Sequence, residues 1–257
     1  MQSFFIKKRH KGRILALRNI TWEDRGFSIS YKIINNHSKD FALFLHGWGA
    51  NKELMEGAFG MRFPNLNHLY VDLPGFGGSG NDFVLDSADY AKIVALFLQN
   101  LNIAPAIIFA HSFGGKVSTL LNAPNLVLLS PAGLQKSQNL KVRLKIKCAK
   151  IAKFFGLRAR FLASRDAIDL PPNMYESFKI IVREDFSERL QSLSAKTLIF
   201  WGRDDDALPL ALGEKMRDLI PKCAFFAMEG NHFFFLDSAN MGKIETITKE
   251  YFNGLFA

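Results

Sequence analysis

The stretch Ala106-Ile107-Ile108-Phe109-Ala110-His111-Ser112-Phe113-Gly114-Gly115 decides how the chain is read. Four apolar residues end in a small-x-Ser-x-Gly turn, and a helical pattern through Val117, Leu120 and Leu121 follows directly. A strand that turns this sharply into a helix holds the turn's serine out at the strand end, and small residues two before and two after let the backbone bend. Ala110 stands where glycine is usual, and alanine is small enough for the turn.

Working outward, short apolar runs recur with turn residues at their C-terminal ends. Phe41–Leu45 precedes His46-Gly47, Leu69–Val71 precedes Asp72-Leu73-Pro74-Gly75, Leu126–Leu129 precedes Ser130-Pro131, and Thr197–Phe200 precedes Trp201-Gly202. Continuous rather than alternating apolar strands belong to parallel sheets covered on both faces. Helical patterns lie between them: Ser87–Asn100 with Tyr90, Ile93, Val94, Phe97 and Leu101 at helical spacing, a second after Ser112, and a third over Leu210–Leu219. The order defines a doubly wound, mostly parallel α/β sheet, whose ligands bind beyond the carboxyl ends of the strands. Ile14–Leu17, Ile20–Trp22 and the alternating Phe27–Ile33 suggest an antiparallel start.

One segment breaks this rhythm. From Gly133 to about Ser192 no strand-like run ends in a glycine turn, and Leu140–Phe161 reads as a basic helix with Leu144, Cys148, Ile151, Ala152 and Phe155 on one face. Pro171-Pro172 is expected to interrupt any helix there. The expected organisation is therefore a core of residues 1–132 and 193–257 with a helical lid inserted over 133–192. Of the net charge of +9, this region carries most: Gly133–Ser194 has 13 Lys and Arg against 6 Asp and Glu, a net of +7. A solvated helix face is its first reading, attraction of an anionic substrate the second, and contact with anionic lipid the third. No nucleic-acid-binding motif accompanies the charge.

The chemistry begins with Ser112. A serine hydroxyl attacks a carbonyl only when a neutral histidine takes its proton and a carboxylate fixes that histidine's tautomer. Of six histidines, His232 lies late in the chain, in the turn Glu229-Gly230-Asn231-His232-Phe233 after the expected strand Ala224–Met228. His46 and His111 sit inside other motifs, and His10, His37 and His68 have no strand-end context. The carboxylate falls in Asp204-Asp205-Asp206, which follows the strand Thr197–Phe200 and leaves three choices. His46-Gly47-Trp48-Gly49 can supply half of an oxyanion hole, the backbone N–H of Trp48 acting with that of Phe113.

Through His46-Gly47-Trp48-Gly49, Asp72-Leu73-Pro74-Gly75-Phe76-Gly77-Gly78-Ser79, His111-Ser112-Phe113-Gly114-Gly115, Gly202–Pro209 and Gly230-Asn231-His232-Phe233, the chain resembles the α/β-hydrolase superfamily over nearly its whole length. The family's G-x-x-D-x-x-[VL]-P pattern selects Asp205, whereas the extra Asn231 between glycine and histidine departs from the family's usual Gly-His pair. Asp72 is expected to shape its turn and to take no catalytic part. Asp-Leu-Pro-Gly-Phe-Gly and Ser130-Pro131-Ala132-Gly133-Leu134 are similar to hydrolases that cut carbon–carbon bonds in vinylogous diketo acids; His46-Gly47-Trp48-Gly49 is equally similar to carboxylesterases acting on acyl-carrier esters.

The resemblance thus implies a serine hydrolase needing no metal or organic cofactor, acting on a small-molecule substrate that is acyl or anionic. Ester hydrolysis is the first expectation. Carbon–carbon hydrolysis, with Arg143, Arg158 or Arg160 of the lid pairing a carboxylate, is the second, and a non-enzymatic binder the third. No window approaches the length of a bilayer span and the basic N-terminus lacks a signal-peptide pattern, so a soluble, cytoplasmic protein is expected, with oligomeric state open. Cys148 and Cys223 form no CxxC pair and read as buried free thiols.

Overall fold

The computed structural model describes residues 13–135 and 171–256. Eight strands form one sheet: β1 Arg13–Trp22, β2 Arg25–Ile34, β3 Phe41–Leu45, β4 Asn67–Val71, β5 Pro105–His111, β6 Asn125–Leu129, β7 Lys196–Gly202 and β8 Cys223–Met228. Their order is β1-β2-β4-β3-β5-β6-β7-β8. The first two join antiparallel, as does β2 to β4, and every later pairing is parallel. The antiparallel start is therefore one continuous strand, not two short ones, paired with β2 from Arg13↔Ile34 to Trp22↔Arg25. Its two-residue turn places both Glu23 and Asp24 at positive φ (49° and 60°), the twist that suits a tight hairpin.

The continuous apolar runs are explained by two cores. Successive side chains of a strand point to opposite faces. Leu43, Leu45, Ile108, Ala110, Leu126, Leu128, Ile199 and Trp201 enter one core. Ala42, Phe44, Ile107, Phe109, Val127, Leu129, Leu198 and Phe200 enter the other. The first is covered by α2 (Ser87–Leu101) and α3 (Phe113–Ser118), the second by α1 (Lys52–Phe59) and, across Met241 and Ile244, by the helix Ser238–Tyr251. Phe109, immediately below the turn at Ser112, lies 5.0 Å from Phe44, 5.2 Å from Phe59 and 4.8 Å from Phe63, ring centre to ring centre.

Between β6 and β7 the described chain contains α4 (Pro172–Ile181) and α5 (Ser187–Gln191). Pro171-Pro172 thus opens a helix where the sequence suggested an interruption. The physical reason is position: Pro172 is the first helical residue, where no N–H is needed and the ring presets φ. The basic helix expected over Leu140–Phe161, Cys148 and the arginines Arg143, Arg158 and Arg160 lie outside the described residues. Cys223 is a free thiol but only half-buried, and desolvation pushes its pKa up to about 12. Among the described residues no helix is long and apolar enough to cross a membrane.

Strand order reverses at β3, which has β4 on one side and β5 on the other. The loops leaving the carboxyl ends of β3 and β5 therefore flank the crevice where open α/β sheets bind ligands. Those loops carry His46–Gly49 and Ser112.

Replacing Phe109 by alanine removes the ring shared by three others beneath that crevice. The expected loss of stability is roughly 3–5 kcal/mol. Urea denaturation of wild type and Phe109→Ala measures it, and a loss under about 1 kcal/mol contradicts the packing described.

Candidate active site

Ser112 occupies the turn between β5 and α3 at φ 51°, ψ −113°, a conformation costly for any residue with a Cβ. Three backbone hydrogen bonds hold it there: its N–H donates to Leu129 O (3.1 Å), and its carbonyl accepts from Gly115 N (3.0 Å) and Ala132 N (2.9 Å). Neighbouring strands thus over-determine the strained residue. Ser112 itself is half-buried, whereas His111 and Phe113 on either side are buried. Phe113 is the first residue of α3, so its N–H has no partner inside the helix.

The loop after β3 approaches this turn so closely that only glycine fits. A Cβ on Gly47 would stand 2.9 Å from His111 Nδ1 and 3.0 Å from Ser112 Cβ. Trp48, the next residue, packs its ring against Phe113 (5.3 Å) and Phe76 (4.9 Å). The loop is anchored from below by His46, whose Nδ1–H donates to Gly47 O (2.8 Å) while Nε2 accepts from Leu73 N–H (3.0 Å). Asp72, fully buried, ties the same two loops together: Oδ1 accepts from Lys52 N (2.7 Å), and Oδ2 accepts from Lys52 Nζ (2.7 Å) and Gly78 N (2.9 Å). Asp72 is thus engaged entirely in shaping the loops beside Ser112.

The structure brings His232 to the same place. Its ring lies 4.6 Å from that of His111, and His111 Nε2–H donates to its backbone carbonyl (3.1 Å). His232 Nδ1 donates to Asp205 Oδ2 at 2.7 Å, with side-chain exposures of 9% and 0%. The second Asp205 oxygen accepts from Leu208 N–H at 2.7 Å. Asp204 and Asp206 are exposed, so of the three aspartates only Asp205 turns inward to the histidine. The loops carrying the pair are locked by Gly202, where a Cβ would stand 2.6 Å from Gly230 O, and by Asp204 N donating to Gly230 O (3.0 Å). The extra Asn231 is accommodated because Gly230 takes φ 106° and Asn231 O accepts from Phe234 N (3.0 Å).

Chemically, a histidine whose Nδ1–H is committed to a carboxylate keeps the Nε2 lone pair free to take a proton. Trp48, in the loop after β3, and Phe113, which opens α3, both adjoin Ser112. The sequence assigned no work to His46, His111, Lys52 or Lys116, because their partners lie 20 or more residues away and leave no local pattern. Among the described residues no cluster of His, Cys, Asp and Glu is arranged to hold a metal ion.

This fold, with a serine at the strand–helix turn and a histidine–aspartate pair brought in from two later strands, defines an α/β-hydrolase. The profile described as "Alpha/beta hydrolase family" matches residues 42–241, and the chain belongs to that family. It is similar to the uncharacterized hydrolase YugF of Bacillus subtilis, 23% identical over 245 residues covering 79% of this chain and 86% of that protein. It is also similar to the pimeloyl-[acyl-carrier protein] methyl ester esterase of Vibrio campbellii, 28% identical over 218 residues covering 72% of this chain and 84% of that protein. Among solved structures, a thermophilic esterase from Thermogutta terrifontis matches the fold with TM-score 0.72 at 17% identity, covering 94% of this chain and 99% of that one.

The buried histidines make stability depend on pH. Burial holds His46 and His68 below the usual 6.5, and holds His111 well below it, with His232 adding to the effect. Unfolding therefore takes up protons that the folded chain refuses, so stability is present above pH 6.5 and is lost as pH falls below it. Each such histidine contributes up to about 1.4 kcal/mol per pH unit. Urea midpoints at several pH values below 7 check this; the wild-type midpoint drops and His68→Gln drops less, whereas a flat profile contradicts it.

Proposed function

We propose that the protein is a serine hydrolase of carboxylic esters, with Ser112 as nucleophile, His232 as base and Asp205 orienting the base. The observation that carries this reading is the 2.7 Å His232–Asp205 hydrogen bond beside a Ser112 held in a strained turn. The relationship to an acyl-carrier methyl ester esterase supports esters as the substrate class.

In the proposed reaction, Ser112 Oγ attacks the ester carbonyl carbon and its proton passes to His232 Nε2. The resulting oxyanion accepts hydrogen bonds from the N–H groups of Trp48 and Phe113. Asp205, excluded from water, stabilises the imidazolium without itself taking the proton. Collapse breaks the ester C–O bond, and the departing alcohol takes the proton from His232. Water then attacks the acyl-Ser112 carbonyl, giving its proton to His232, and the proton returns to Ser112 Oγ as the acid leaves. Removing one oxyanion donor costs about 3–4 kcal/mol of barrier in such sites, on the order of 100–1,000-fold in rate.

The carbon–carbon reading requires recognition of a substrate carboxylate by Arg143, Arg158 or Arg160, all outside the described residues. It keeps the same serine and histidine, so one experiment separates the readings. Wild type and Ser112→Ala are assayed on nitrophenyl esters of graded acyl length and on a dienoic diketo acid. Ester turnover that Ser112→Ala reduces by at least about 1,000-fold is the expected result. Turnover of the diketo acid alone replaces the ester reading by the carbon–carbon one, and activity retained in Ser112→Ala overturns the nucleophile.

A further inference from the structure

The aromatic side chains of the two residues that supply the proposed oxyanion donors form a cluster that reaches beyond the sheet. Trp48 packs on Phe113 at 5.3 Å and, at 6.3 Å, on Tyr90 of α2; Tyr90 in turn meets Phe113 edge-on at 5.0 Å. The indole is also met by Phe178 of α4, 5.3 Å away with the rings tilted by 50°. A helix between β6 and β7 thus bears directly on the oxyanion loop.

That helix is fixed by buried and partly buried polar contacts. Glu184, three residues past α4, accepts from Ser87 N (3.0 Å) and Ser87 Oγ (2.5 Å) at the start of α2, and from Lys116 Nζ (3.0 Å) in the helix that begins beside Ser112. Lys116, 3% exposed, also donates to Ile181 O (2.6 Å) at the end of α4 and lies 4.7 Å over the Phe186 ring. Ser177 Oγ accepts from Leu85 N (2.8 Å), and Asn173 Nδ2 donates to Asn81 O (2.9 Å). A partly buried ion pair of this kind is weak evidence for stability, because desolvation offsets attraction. Its geometry, however, fixes α4 against both the nucleophile helix and the helix under Trp48.

We propose that Phe178 is a positioning residue for the oxyanion hole, bracing the Trp48 ring so that the Trp48 amide stays aligned, and that Glu184 is the anchor that keeps Phe178 in place. The proposal rests on the ester-hydrolase reading above. Oxyanion donors act only when they are pre-aligned to where charge develops, so a small rotation of the Trp48 peptide weakens the transition state while leaving ground-state binding largely intact. Phe178 is half-buried, so its replacement leaves the two cores untouched.

The test compares wild type with Phe178→Leu, Phe178→Tyr and Glu184→Gln on one nitrophenyl ester. Phe178→Leu and Glu184→Gln are expected to lower kcat about 10-fold or more while KM moves less than about threefold, part of the full loss of one donor. Phe178→Tyr, which keeps the ring, restores kcat. Affinity for a trifluoromethyl ketone, whose adduct on serine carries the oxyanion, falls in parallel with kcat/KM. Thermal midpoints are recorded alongside, and a kcat loss that follows the midpoint with unchanged ketone affinity overturns the positioning role. So does wild-type turnover with Phe178→Leu unaltered. Absence of ester turnover in wild type overturns the ester reading, and this proposal with it.

Discussion

The hydrogen bond from His232 to Asp205 is the contact on which the arrangement around Ser112 depends. It joins the loops after β7 and β8 at 2.7 Å in a place where the carboxylate is wholly excluded from water. A buried carboxylate left without donors is strongly disfavoured, so both its oxygens are engaged, one by the imidazole and the other by Leu208 N–H. The bond also decides the histidine's tautomer, leaving Nε2 as the atom with a free lone pair. Everything the proposed reaction asks of His232 follows from this one commitment of Nδ1.

Around that bond, four strand ends are knitted together by buried polar groups. His46 ties the loop after β3 to Leu73, Asp72 ties the loop after β4 to Lys52, and His111 holds the backbone of His232. The strain at Ser112 persists because Leu129 O of β6 and Ala132 N, just past its end, bond its backbone. Rigid strands thus position the polar atoms, and short loops bring them within reach of one another.

Much of this is legible in the sequence because parallel strands buried on both faces appear as continuous apolar runs, and five of these end in turn residues. In the sequence Arg18-Asn19 separates the apolar residues of the first strand and makes it look like two; in the structure it is a single strand extending as far as its pairing with β2. Helices over Lys52–Phe59 and Ser238–Tyr251 carry little apolar mark, the second burying only Asn240, Met241, Ile244 and Thr248. Pro171-Pro172 has opposite meanings at the start and the middle of a helix, and only the fold says which applies. The triple aspartate was separable by a family pattern; in the structure the separation is physical, since Asp204 and Asp206 face solvent. Nothing local reveals Lys116–Glu184 or His46–Leu73, because those pairs are made by the fold across 68 and 27 residues.

The most direct test of the central claim is the steady-state rate of Asp205→Asn beside Asp204→Asn and Asp206→Asn on the same ester. Asparagine fills the aspartate's space, but it carries no charge to hold a positive imidazolium, and its amide can favour the wrong histidine tautomer. The expected result is a fall in kcat on the order of 10⁴-fold for Asp205→Asn with its thermal midpoint close to wild type, and near wild-type rates for the two neighbours. Asp205→Asn within about tenfold of wild type, or an equal loss in either neighbour, would contradict the assignment of the buried pair as the orienting element of the site.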